Sequence, residues 1–122
     1  NAVPVFGRSQ DPVTWHEVKN VLSGRAIDFL YIDGDHLFEP ARRDFYLYGP
    51  LVRTGGLIVM DDPVTAHNPT IEVYRLIPEL RIRHRTKLIS GGNDYASSVQ
   101  PPSGKLIVYP PASCIARDAS LG

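Results

Sequence analysis

The chain reads as an α/β protein built on an open, mostly parallel sheet, and three stretches carry that reading. Asp28-Phe29-Leu30-Tyr31-Ile32 is a short apolar run stopped by Asp33-Gly34-Asp35-His36, the pattern of a central parallel strand that empties into a polar loop. Leu57-Ile58-Val59-Met60 is a second such run, launched by Gly55-Gly56 and stopped by Asp61-Asp62-Pro63. Between them, Glu39 to Tyr48 carries Phe38, Ala41, Phe45 and Leu47 or Tyr48 at helical spacing, which puts Arg42, Arg43 and Asp44 on the other, water-facing side. Strand, helix and strand form a βαβ unit with a right-handed connection. Asp33 and Asp61 then fall at the carboxyl ends of neighbouring strands, where open α/β sheets place their ligands.

The remaining elements follow in order. Val3 to Phe6 is strand-like, and Pro4 inside it suits a sheet edge. Gly7-Arg8-Ser9-Gln10 is the loop at its carboxyl end. Asp11-Pro12 starts a helix, because Asp accepts free amide hydrogens of a first turn and Pro is tolerated there. Its apolar stripe is Val13, Val18, Val21 and Leu22, its wet side His16, Glu17, Lys19 and Asn20, and Gly24 is expected to close it in a left-handed conformation. Beyond Asp62, Pro63 to Pro69 is a loop holding His67 and Asn68. Thr70 to Leu80 is an amphipathic helix (Ile71, Tyr74, Leu76, Ile77) with Pro78 damaging its end. A strand is expected near Thr86 to Ile89, turn chemistry at Gly91 to Asp94, loop from Ser97 to Gly104, and a last strand from Lys105 to Tyr109. The expected organisation is one domain over residues 1–110 and a flexible tail over 111–122.

Composition bounds the function. At 122 residues and 43% hydrophobic content, the chain suffices for one compact domain. Its formal net charge is +0, so no global field recruits nucleic acid or an anionic membrane, and Arg81, Arg83, Arg85 and Lys87 lack an aromatic-basic binding motif around them. The single cysteine, Cys114, excludes an internal disulfide and a multi-thiolate metal site. No apolar run approaches a membrane span, and the first residues lack the pattern of a signal peptide. A soluble, cytoplasmic protein is expected.

The chemistry concentrates at the strand ends. Asp33, Asp61 and Asp62 would repel one another unless a cation or a proton intervened, since like charges ~4 Å apart at an effective dielectric near 20 cost about 4 kcal/mol. Oxygen ligands suit Mg²⁺, Ca²⁺ or Mn²⁺. The same acids read equally as strand-end turn residues. His36 lies three residues past Asp33 and is a candidate general base, because histidine changes charge nearest to neutral pH, although a lone loop histidine is more often a solvated or capping residue.

The stretches GRSQD, IDFLYIDGDH and DFYLYGPLVRTGGLIVMDD together resemble class I S-adenosylmethionine-dependent O-methyltransferases. The nearest groups are the metal-dependent catechol and caffeoyl-CoA type and the bacterial family of macrolide-sugar O-methyltransferases and so-called cephalosporin hydroxylases. The resemblance covers Val3 to Asp62 and implies a Rossmann-like sheet of strand order 3-2-1-4-5-7-6 with an antiparallel last strand. It implies that Ser9 and Gln10, with Gly7, Asp33 and Gly34, bind the cofactor. It also implies that Asp33, Asp61 and Asp62 bind a divalent ion such as Mg²⁺ and that His36 is the base.

What the resemblance implies is methyl transfer from S-adenosylmethionine to a small-molecule hydroxyl, assisted by the metal. The family's first two strands and glycine-rich turn have no counterpart here, so a partial sheet is expected, with the Asp28 to Ile32 edge bare. A bare apolar edge invites a second copy of the chain or a completing chain. The alternative expectation is a non-catalytic fragment or interaction module that self-associates through that edge.

Overall fold

A computed structural model describes residues 2–61, 71–91 and 103–110. Its helices are α1 (Pro12–Leu22), α2 (Phe38–Tyr48) and α3 (Ile77–Arg83), and its strands β1 (Ile27–Ile32), β2 (Val52–Asp61), β3 (Arg85–Gly91) and β4 (Ser103–Tyr109). They form a four-stranded sheet in the order β1-β2-β4-β3. β1 and β2 are adjacent and parallel with α2 between them in sequence, while β4 runs antiparallel to both β2 and β3. The expected βαβ unit and antiparallel last strand are therefore present, in a mixed sheet compatible with part of a methyltransferase fold.

The register explains the core. Leu30 and Ile32 pair with Ile58 and Met60, which in turn face Val108 and Leu106 across β4. Against this face pack Ala41 and Phe45 of α2, Leu80 of α3, and Val73 and Leu76 of the 3-10 turn before α3; Phe45, Ile58, Leu76, Leu80 and Val108 are wholly buried. Complete burial of a side chain such as Phe45 contributes about 1.5–3 kcal/mol. The opposite face of β1 is wetter, with Phe29 55% and Tyr31 44% exposed. β2 begins earlier than the apolar run because Gly55-Gly56 lies inside it. Between Ile27↔Val52 and Phe29↔Leu57 the strand bulges, and a Cβ on Gly56 would come within 2.7 Å of the Asp28 carbonyl oxygen.

Several expectations are corrected. Val3 to Phe6 forms no strand among the described residues, and Val3 and Phe6 are 63% and 84% exposed. An extended segment becomes a strand only where a neighbour takes its backbone hydrogen bonds. Asp11 stands at the N-cap of α1 but makes no side-chain cap hydrogen bond, Val13 points to water, and the C-cap is Ser23, with φ of 52°, followed by Gly24, which is left-handed as expected with φ of 81°. Pro78 does not end a helix. It sits in the first turn of α3, where its missing N–H costs nothing, and α3 runs on through Arg81 to Arg83. Asp44 is buried on α2 rather than facing water. Asp62, the Pro63 to Pro69 loop, residues 92–102 between β3 and β4, and the tail lie outside the described residues. No helix among the described residues is long and apolar enough to cross a membrane.

Candidate functional site

β1 ends at Ile32 and β2 at Asp61, with Ile32 level with Met60, so Asp33 and Asp61 stand at the carboxyl ends of neighbouring parallel strands. Beside β1 lies a cavity of about 420 Å³, within the size range of small-ligand sites. Gly7 and Ser9 line it from the loop before α1, Thr14 and Val18 from α1, Leu30 and Tyr31 from β1, Asp33 and Gly34 from the loop after β1, and Asp44 and Tyr48 from α2. Four of the five expected cofactor residues, Gly7, Ser9, Asp33 and Gly34, thus share one cavity.

Gln10, the fifth, stands just behind the wall. Its Nε2 donates to Ser9 Oγ at 2.9 Å and to Asp44 Oδ1 at 3.0 Å. One turn along α2, the Tyr48 hydroxyl donates to the Ser9 carbonyl oxygen at 2.7 Å. Asp44 and Tyr48 therefore clamp the Ser9-Gln10 turn from one helix face. Burial pushes the Asp44 carboxyl above its ordinary range, and the Asp35 charge adds to that, while hydrogen bonds from Ser9 and Gln10 oppose it. Burial also raises the Tyr48 phenol, helped by the nearby Asp44 charge.

One glycine is required by this packing and a second fits it closely. Gly7 has φ of 137°, a conformation side chains rarely adopt, and a Cβ there would lie 2.5 Å from Thr14 Oγ1. Gly34 lets its backbone approach Asp44, where a Cβ would lie 3.3 Å from Oδ2.

The expected metal and base residues are gathered less closely. Asp61 forms an ion pair with Lys105, directly opposite it on β4, and this hydrogen bond, with the Asp61 charge and Tyr31, holds the Lys105 ammonium above its ordinary pKa. His36 does not line the cavity; its carbonyl oxygen accepts the Glu72 N–H at 2.6 Å. Asp62 lies outside the described residues. Among the described residues, no group of three or more His, Cys, Asp or Glu side chains is arranged to hold a metal ion.

Sequence reasoning missed Asp44, Tyr48 and Lys105 as site residues. The signal for Asp44 and Tyr48 was available, because Ala41, Asp44, Phe45 and Tyr48 fall at i, i+3, i+4 and i+7 on the buried face of α2. Lys105 carried no such local signal, since its partner lies 44 residues away.

An uncharacterized protein, R132, of Acanthamoeba polyphaga mimivirus is 56% identical to the chain over 36 residues, a stretch that covers 30% of this chain and 16% of that protein. No solved structure matches the chain. The family model of the methyltransferase domain matches residues 2–63, which include the loop at Gly7 to Gln10, α1, the βαβ unit and the acids that end both of its strands. This chain belongs to the methyltransferase domain family.

Proposed function

We propose that the chain serves S-adenosylmethionine-dependent O-methyl transfer to a small-molecule hydroxyl. The observation that carries the reading is the cavity beside β1, which gathers Gly7, Ser9, Asp33 and Gly34 from two separate loops. The residues fit the cofactor. Gly7 and Gly34 bring backbone close without side-chain bulk, and Ser9, Asp33 and the buried Asp44 supply polar groups to an otherwise apolar wall. When bound, S-adenosylmethionine supplies a methyl group from its sulfonium centre, whose sulfur keeps the bonding electron pair.

The chain's own part is positioning and proton transfer. Ser9 and Gln10, held by Asp44 and Tyr48, would fix the adenosine end. His36 would accept the substrate's hydroxyl proton on a ring nitrogen, and the Lys105 ammonium, held by Asp61 at the end of β2, would steady the negative charge that develops on the substrate oxygen. The described donor set does not fit a divalent ion. Lys105 already neutralises Asp61, and among the described residues no group of three acidic, imidazole or thiol side chains is arranged to hold an ion. The proposed proton transfer is accordingly assigned to side chains.

Calorimetric titration with S-adenosylhomocysteine tests the reading. Binding is expected, and Gln10→Ala is expected to weaken it without changing the melting temperature by more than a few degrees. Binding indifferent to Gln10→Ala places the cofactor elsewhere. A radiolabelled methyl-transfer assay over phenolic and sugar acceptors, with His36→Ala as the comparison, tests the role of the base.

A further inference from the structure

Asp44 is an unusual group to find on the core-facing side of a helix. It is 3% exposed, yet its carboxylate belongs to the wall of the cavity. Three neighbours fix its orientation: Gln10 Nε2 donates to Oδ1 at 3.0 Å, the Ser9 side chain hydrogen-bonds to it, and Gly34 packs against Oδ2 closely enough that a Cβ would stand at 3.3 Å. Its oxygens act as acceptors toward Gln10 and Ser9 and keep further lone pairs for a donor in the cavity. A buried acceptor held rigidly in a ligand cavity discriminates strongly, because a ligand that presents another acceptor leaves both groups desolvated and unpaired.

We propose that Asp44 determines the base specificity of the pocket, its carboxylate accepting a hydrogen bond from the exocyclic amino group of a 6-aminopurine nucleoside and so refusing 6-oxopurines. This rests on the reading of the cavity as the S-adenosylmethionine site. The assignment to the base follows from the carboxylate's attachment to the Ser9-Gln10 turn, which is also anchored by the Tyr48 hydroxyl. On an adenine the ring nitrogens are acceptors and only the amine can donate. Asn at the same position keeps the size of the side chain, and its amide supplies donors that a 6-oxo group can use.

The test uses the full chain and three probes: S-adenosylhomocysteine, S-inosylhomocysteine, and the analogue with hydrogen in place of the 6-amino group. The expected result is that the native protein binds the adenosyl compound at least about tenfold more tightly than either of the others. In Asp44→Asn, the preference for adenosyl over inosyl should fall to within about threefold or reverse. A preference unchanged in Asp44→Asn overturns the proposal and leaves Asp44 as a brace for the loop, while adenosyl binding still upholds the cofactor reading. Equal binding of all three probes to the native protein overturns the proposal without any variant. No binding of any probe to the native protein overturns both the proposal and the cofactor reading.

Discussion

Lys105 and Asp61 stand directly opposite one another on antiparallel strands, and their ion pair supplies a positive charge at the carboxyl end of β2. The site where the resemblance calls for a metal ion thus contains a cation that the chain carries itself. Millimolar Mg²⁺ at pH 7 is therefore expected to leave the melting temperature unchanged. In Lys105→Met the Asp61 carboxylate, 14% exposed, loses its partner. The variant should melt lower by an amount equivalent to about 1 kcal/mol, since the Lys105 side chain is 41% exposed and solvent screens the pair. It should then recover part of the loss when Mg²⁺ is added. Stabilisation of the native protein by Mg²⁺ in differential scanning fluorimetry would show that the ion displaces Lys105.

Glu79 joins α3 to α2. Arg42 Nε donates to both of its oxygens at 3.0 and 3.2 Å, the Tyr46 hydroxyl donates to Oε2 at 2.6 Å, and Arg83 reaches that hydroxyl at 3.2 Å. Burial would raise the Glu79 carboxyl, but the hydrogen bonds from Arg42 and Tyr46 outweigh it and hold the carboxyl below its ordinary range, while burial and the bond to Glu79 push Tyr46 up to about 12. A lowered folded pKa stabilises above the unfolded value of 4.5 and loses that stabilisation as pH falls through the folded value. Glu79→Gln is expected to cost about 1–3 kcal/mol at pH 7 in urea melts, with the gap from the native protein closing at acid pH.

His84 should act at a higher pH. It is 6% exposed, its ring lies 5.6 Å from that of Phe45, and neither ring nitrogen has a hydrogen-bond partner among the described residues. Burial, and then the Arg83 charge, lower its pKa below the usual 6.5. The unfolded chain therefore takes up a proton that the folded chain refuses, so stability is complete above about 6.5 and declines as pH falls from there through the folded value. His84→Leu should remove this component, which has a limiting slope of about 1.4 kcal/mol per pH unit. Chemical melts between pH 7 and 5 that decline equally in both proteins would contradict it.

Among the described residues β1 is an outer strand of the sheet and pairs with β2 alone. The side of it that no described strand covers carries backbone groups beside an apolar strand, the arrangement that invites another chain. A second copy or a completing chain is expected to cover it. Light scattering should report a mass above that of one chain, and hydrogen exchange should find the outward-facing amides of Ile27 to Ile32 protected. A monomer with rapid exchange at those amides would contradict the expectation.

The βαβ unit was legible because its strands are written as apolar runs with acids at their ends, and the last strand because Lys105 to Tyr109 stands between turn residues. The cavity is half legible: the loop residues Gly7, Ser9, Asp33 and Gly34 stand out in the sequence, but Asp44 is hidden because the apolar residues alone do not define the buried face of α2. Pro78 looks like a helix breaker because its effect depends on where the helix starts, which the local sequence does not mark. Val3 to Phe6 looks like a strand because local composition reports a tendency to extend, whereas pairing depends on a neighbour. The Lys105-Asp61 pair depends on the β2-β4 register, which no local stretch contains.

The bulge at the start of β2 also has a practical use. Because the register is recovered at Leu57, the bulged segment Arg53 to Gly55 of β2 is set apart from the carboxyl end of the strand, and all three residues are exposed. A fluorophore or affinity handle attached through Thr54→Cys would ride on this outlying corner, leaving Met60, Asp61 and the cavity wall in place. Gly56, pressed against the Asp28 carbonyl, is the point beyond which such engineering should not extend.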